Sequence, residues 1–170
     1  YLVRHGVTAR EVAQMMTEEF RARWRPEWNH RLYALGLTRQ QAVTLASIIE
    51  GEVRFAPDRP YVSSVYHNRL QRRMRLQADP TVIYALGRRR RLYEKDYQIR
   101  SPHNTYLIDG LPPTPIGQPS SASIEAALYP ERTGFLYLVA RPDGKHVFSR
   151  TLREHLRAVA EVRRMTADGR

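Results

Sequence analysis

The 170-residue chain has no cysteine, which excludes disulfides and thiol nucleophiles. A chain without cysteine suits an oxidising compartment without requiring one. No apolar run reaches the ~18 residues a membrane-spanning helix needs. The start at Tyr1 has neither the charged opening nor the apolar stretch of a secretory signal. It also has no initiating Met, so a fragment is expected, with any membrane anchor or export signal upstream. Acidic residues are scarce: 17 Asp and Glu stand against 28 Lys and Arg, a formal net charge of +11. Such a surface attracts polyanions, whether nucleic acid, anionic lipid or an acidic wall polymer. The arginines are scattered, and the one block, Arg88–Arg91, reads as a solvated loop. Repeats, a heptad seam, a glycine-rich phosphate loop, zinc-ligand spacing and a serine elbow are all missing, so neither metal chemistry nor acyl transfer has a motif behind it. No metal and no cofactor are expected. What the chain does have is 42% hydrophobic and 9% aromatic residues, the composition of a folded domain with a core.

Periodicity divides the chain into helices and one hairpin. Thr8 and Glu11 form a capping-box pattern before a stripe of Val12, Met15, Met16 and Phe20 that Pro26 stops. Residues 25–36 read as a connector anchored by Trp28, Tyr33 and Leu35. Thr38 caps the next helix, and a third begins at Asp58 or Arg59, with Val62, Val65, Tyr66, Arg69 and Leu70 inward. Met74–Gln77 alternates like a short strand. Asp79-Pro80 reads as an N-cap followed by a first-turn proline, opening a helix that ends at Gly87. Ser121 or Ser123 caps a helix to Leu128. Residues 135–140 and 146–148 form a hairpin around Asp143-Gly144. Thr151 and Glu154 cap the last helix, with Leu152, Leu156, Val159 and Val162 inward and a frayed tail from Thr166.

The chemistry concentrates at the end of one helix, Thr44-Leu45-Ala46-Ser47-Ile48-Ile49-Glu50-Gly51-Glu52. Helical neighbours lie three and four residues apart, so Glu52 shares the stripe of Leu45, Ile48 and Ile49, while Glu50 sits beside Val43, Ala46 and Ser47. A carboxyl group on an apolar stripe at a helix C-terminus loses water and faces the negative end of the dipole, and both effects keep it protonated. A general acid needs that property. The stretch alone favours the plainer reading, with Gly51 as a C-cap and both acids in water.

Six segments in order carry a resemblance: residues 46–52, Ser-Val-Tyr-His-Asn-Arg-Leu (64–70), Met-Arg-Leu-Gln-Ala-Asp-Pro-Thr-Val-Ile-Tyr (74–84), His-Asn-Thr-Tyr (103–106), Gly-Leu-Pro-Pro-Thr-Pro-Ile (110–116), and Gly-Lys-His-Val-Phe (144–148) with Glu154-His155. Together they resemble the endolytic murein transglycosylases, the YceG-like family. The resemblance implies an α+β fold, helices around a small antiparallel sheet with a remote likeness to lysozyme-type transglycosylases. Residues 37–170 would be the catalytic domain and 1–36 a helical lead-in. It implies Glu52 as the catalytic residue, first protonating the bridging oxygen between N-acetylmuramic acid and N-acetylglucosamine. The same group then takes the proton of the muramyl C6 hydroxyl to leave a 1,6-anhydro end. Glu50, Asn68, Gln77, Asp79, Tyr84, Asn104 and Thr105 are candidates for binding substrate or supporting Glu52, and Tyr66, Tyr84 and Tyr106 for stacking on sugars. Peptidoglycan strands would be the substrate, a peptidoglycan synthase of the elongation machinery a partner, and the outer side of the inner membrane the location. Nucleic acid is not expected.

Two other readings compete. A muramidase-type hydrolase would pair Glu52 with Asp79, because such hydrolases use two carboxyl groups ~5–5.5 Å or ~6.5–9.5 Å apart. A basic binding module without catalysis would interleave aromatic and basic residues on one surface, a pattern confined here to Arg88–Tyr93.

Overall fold

The structure, a computed structural model, describes residues 2–168. Its elements are helices α1 (Ala9–Arg23), α2 (Glu27–Leu35), α3 (Arg39–Glu52), α4 (Arg59–Gln71), α5 (Asp79–Leu86) and α6 (Ser121–Leu128). Strands β1 (Tyr137–Ala140) and β2 (His146–Ser149) and helix α7 (Leu152–Asp168) follow. Short 3₁₀ turns sit at Ala56–Asp58 and Glu94–Gln98. The strands pair antiparallel with Ala140 opposite His146 and Tyr137 opposite Ser149. The class is α+β, with helices around a two-stranded sheet. No helix among the described residues is long and apolar enough to cross a membrane.

Helix α3 is the axis of the core. Ala42, Leu45, Ala46, Ile48 and Ile49 have no solvent exposure, and α2, α4, α5 and α6 all lie against it. A helix enclosed on most sides reads apolar around most of its circumference, as the run 42–49 does. Thr38 accepts from the Gln41 N–H while Gln41 reaches back to the Thr38 N–H, a closed capping box. At the other end the cap is Val53, whose N–H bonds Ile49, so Gly51 lies inside the helix and is not its cap. A Cβ at Gly51 would stand 2.7 Å from the Cβ of Pro80. Glycine is what lets the start of α5 pack directly on α3.

Several expectations change. Residues 25–36 are a helix and not a connector: Pro26, at φ −54° and ψ −38°, initiates α2, since proline is tolerated in a first turn. Trp28 and Leu32 are buried there, whereas Tyr33 is 92% exposed and anchors nothing. Met74–Gln77 is not a strand. Arg69 takes its carbonyls instead, donating to Arg75 O and Leu76 O at 3.1 and 2.9 Å, and Gln77 sits at φ +50°. The N-cap of α6 is Ser120, one residue before Ser121 and three before Ser123, the serines expected there. Helix α7 runs to Asp168 rather than fraying from Thr166; residues 169–170 lie outside the described residues. Its Leu152 and Leu156 are exposed, because the sheet contacts the neighbouring face, where Ala158 is buried and His155 stacks on Tyr137.

Candidate active site

The contact between Gly51 and Pro80 brings the C-terminus of α3 and the N-terminus of α5 together, and their chain neighbours Glu52 and Asp79 face one cleft of about 250 Å³. Arg54, Ile83, Arg141 and His146 also line it. The hairpin tip closes one side, with Gly144 against the stem of Arg54.

Glu52 keeps some surface toward the cleft, but protein encloses its carboxyl group. Burial pushes its pKa up to about 7, the Asp79 charge adds to this, and the Tyr66 hydroxyl and the Arg69 charge oppose it. The Tyr66 hydroxyl donates to Oε2 of Glu52 at 3.2 Å. Burial, and then the nearby Glu52, hold Tyr66 itself far above the ordinary phenol range, so it remains a donor. Arg69 is 7% exposed and has no salt bridge among the described residues. Carbonyls satisfy it, including Leu136 O at 2.6 Å, and Tyr137 packs under its guanidinium.

Asp79 is not the N-cap of α5, as the sequence suggested. The cap position is Ala78, and Asp79 is already helical. The backbone here is held by Thr105, which accepts from the Ala78 N–H at 2.9 Å and pairs with the Thr81 hydroxyl at 2.9 Å. That leaves the Asp79 side chain free to turn to Tyr106, whose hydroxyl donates to it at 2.6 Å. Burial first and Asp79 second raise the pKa of Tyr106, and the same causes take Tyr97 up to about 12. Both phenols stay protonated beside Asp79, their rings 4.6 Å apart.

The other candidates separate. Glu50 lies away from the cleft, pinned to the start of α6: the Ser120 N–H, the Ser120 hydroxyl and the Ser123 hydroxyl donate to it at 3.1, 2.6 and 2.6 Å. Partial burial raises its pKa, but these bonds and Arg59 bring it below the ordinary value. Asn68 donates to Thr133 O and Phe135 O, both at 2.9 Å, and so fixes the approach to β1. Gln77 accepts from Arg69 at 3.2 Å. Asn104 and Thr105 are fully buried, where Asn104 donates to Tyr97 O and Ile99 O at 3.0 and 2.9 Å. Both hold the loop that presents Tyr106. Tyr84 lines a neighbouring cleft of about 550 Å³ with Glu50, Gly51, Arg88 and Arg89; the two clefts meet over Gly51, Pro80 and Ile83.

Sequence reasoning missed Tyr97, Arg54, Arg141 and the pair Asp58–His146. Asp58 accepts from the His146 main-chain N–H at 2.7 Å and pairs with its Nδ1 at 3.0 Å. These partners lie 88 residues apart, so no spacing reveals them. Arg69 had left a trace, a charge on an otherwise inward stripe. Among the described residues no group of three His, Asp or Glu side chains is arranged to hold a metal ion.

The YceG-like family model matches residues 1–161. A Bacillus subtilis protein named endolytic murein transglycosylase is 47% identical over 117 residues, which are 68% of this chain and 32% of that protein. A Streptococcus pneumoniae protein of the same name is 36% identical over 132 residues, 74% of this chain and 24% of that one. The chain thus spans a third or less of these relatives. The crystal structure of a YceG-like protein from Listeria monocytogenes superposes with a TM-score of 0.86 at 38% identity, over 92% of this chain and 52% of that one.

Proposed function

The chain belongs to the YceG-like family, and we propose from this that it is a lytic transglycosylase domain cleaving the bond between N-acetylmuramic acid and N-acetylglucosamine in peptidoglycan. The observation that carries the reading is Glu52: a carboxyl group on the wall of a cleft, enclosed by protein so that burial pushes its pKa up to about 7. Near neutral pH it can both give and take a proton. In the proposed reaction it protonates the bridging oxygen, the bond to the anomeric carbon breaks, and the Asp79 charge stabilises the oxocarbenium character of the sugar. The Glu52 carboxylate then takes the C6 hydroxyl proton as that oxygen attacks the anomeric carbon, which closes the 1,6-anhydro ring and restores the acid. The reading puts the domain's work outside the cytoplasmic membrane, with a membrane anchor elsewhere in the protein and a peptidoglycan synthase as partner.

One observation favours a second reading. Helix capping does not account for Asp79, which faces the cleft with Glu52, so a two-carboxylate muramidase that activates water has a structural basis. Digestion of murein in ¹⁸O-labelled water separates the two. Unlabelled products lighter by one water support the lytic reading, and label at the muramyl C1 supports hydrolysis. Removing a general acid costs on the order of 10²–10⁴ in rate, so Glu52→Gln should abolish measurable cleavage. Wild-type turnover in that variant would refute the assignment.

A further inference from the structure

The cleft around Glu52 holds cationic and polar groups that the proposed proton transfers do not use. Arg54, two residues beyond Glu52, is exposed and makes no hydrogen bond or ion pair among the described residues. Its stem is fixed by the hairpin, the Arg54 Cβ lying 3.3 Å from where a Cβ on Gly144 would stand. Arg141, in the hairpin turn that Arg54 packs against, also lines the cleft; it pairs with Asp143 at 3.1 Å, but its Nε is buried without a partner. The Nε2 of His146 is buried and unpartnered as well. Buried polar atoms without partners are uncommon in folded proteins, and each calls for an explanation. The Arg141 Nε–H is a donor, so beside the free guanidinium of Arg54 it indicates a place for an acceptor, whereas His146, whose Nδ1 faces the Asp58 carboxylate, offers its Nε2 as an acceptor and adds nothing toward an anion.

No carboxyl group of the cleft pairs with the Arg54 guanidinium. Asp79 accepts from Tyr106 and keeps its charge there, nearby Asp58 accepts from the His146 main chain, and burial holds the Glu52 proton up to about pH 7. The complement is an anion with a planar pair of oxygens, which a guanidinium fork binds best. The sugar backbone of peptidoglycan is uncharged. Its anions are carboxylates: one on the lactyl ether of muramic acid where no peptide is attached, the others on the stem peptide.

We propose that Arg54, with Arg141 in the same cleft, binds a carboxylate of the muramyl substituent and so selects which muramic acid is seated over Glu52. This rests on the reading of peptidoglycan as substrate. Arg54 would act in ground-state binding, because it lies at the rim and not at the bond that breaks. Its loss raises KM and leaves kcat nearly as it was.

Three forms of the glycan test this: strands bearing peptides, strands stripped by an amidase so that only lactyl carboxylates remain, and peptide-bearing strands with every carboxylate converted to a neutral amide. Wild-type protein should show a KM roughly five- to ten-fold lower on the form that carries the bound carboxylate than on the amidated strands, the gain of one charge-assisted pair. Arg54→Gln should lose that discrimination, and Arg54→Lys, which keeps charge without the fork, should fall between. A low KM on stripped strands alone assigns the lactyl carboxylate, and a low KM on native peptide-bearing strands alone assigns the stem peptide. Equal KM on all three forms with wild type, or discrimination unchanged in Arg54→Gln, overturns the proposal. Equilibrium binding of the same strands to Glu52→Gln protein keeps the result separate from the reaction. If no strand is cleaved by wild type, the activity reading fails, while a five-fold binding preference for carboxylates would still uphold Arg54.

Discussion

Replacing Glu52 by glutamine should make the protein more stable above neutral pH while removing its activity. The ordinary carboxyl value is 4.5 and the folded value is about 7. Each unit corresponds to about 1.36 kcal/mol, so ionising Glu52 in the folded chain costs about 3 kcal/mol more than in the unfolded chain. Cleft water screens part of this, which leaves about 1.5–3 kcal/mol. A raised value means the stability linked to the proton is fully present below pH 4.5 and lost as pH rises through 7. Glutamine does not titrate and keeps an acceptor for the Tyr66 hydroxyl. The difference between variant and wild type should therefore be near zero at pH 4, grow across pH 5–7 and level off by pH 8. There Glu52→Gln should lead by about 1.5–3 kcal/mol, or about 3–10 °C in Tm. Urea unfolding at pH 4, 6 and 8, followed by the fluorescence of Trp24 and Trp28, measures it, and other titrating groups cancel in the difference. A variant less stable at pH 8, or a difference independent of pH, would refute the burial argument.

The groups around Glu52 should move its titration in opposite directions. Tyr66→Phe removes a bond that lowers its pKa, so the alkaline limb of kcat/KM should move up from about 7, whereas Asp79→Asn removes a charge that raises it, so the limb should move down; pH–rate profiles with murein read both. Gly51→Ala places a Cβ 2.7 Å from that of Pro80 and should cost about 1–3 kcal/mol in denaturant unfolding, with loss of turnover as the two helix ends separate. Glu50→Gln weakens the three-donor anchor at the start of α6 and should destabilise by about 1–2 kcal/mol, yet retain more activity than Glu52→Gln in the same assay.

Local patterns made α3, the start of α4, the hairpin and the position of Glu52 legible in the sequence. Capping boxes, Asp143-Gly144 and the Leu45–Ile49 stripe act within a few residues of the features they specify. Pro26 misled because a proline that stops one helix can start the next with the same backbone angle. Asp79-Pro80 misled for a different reason. An acid before a proline fits the N-cap or the first helical position equally, and Tyr106, 27 residues away, is the partner that decides where its side chain goes. Arg69 and the pair Asp58–His146 depend on contacts of the same long range. What local signals left open was the set of neighbours around Glu52, and so its proton affinity.

Two helix ends meeting at a glycine and a proline account for most of the site's electrostatics. Because Gly51 and Pro80 touch, Glu52 and Asp79 have to share a cleft, yet the fold gives them opposite surroundings. Glu52 follows an apolar run and lies where the helix dipole is negative, so the loss of water and the dipole both favour its proton. Asp79 lies in the first turn of α5, where the dipole is positive, and accepts from a phenol that burial keeps protonated. Burial makes Glu52 the proton carrier, and Asp79, held by Tyr106, acts as the charge beside it. A transglycosylase needs no more than that pair of roles, because the substrate supplies the nucleophile. A hydrolase must in addition place a water between the carboxyl groups and the anomeric carbon. With the Asp79 side chain drawn toward Tyr106, the arrangement favours the substrate's own C6 hydroxyl over a water held by Asp79.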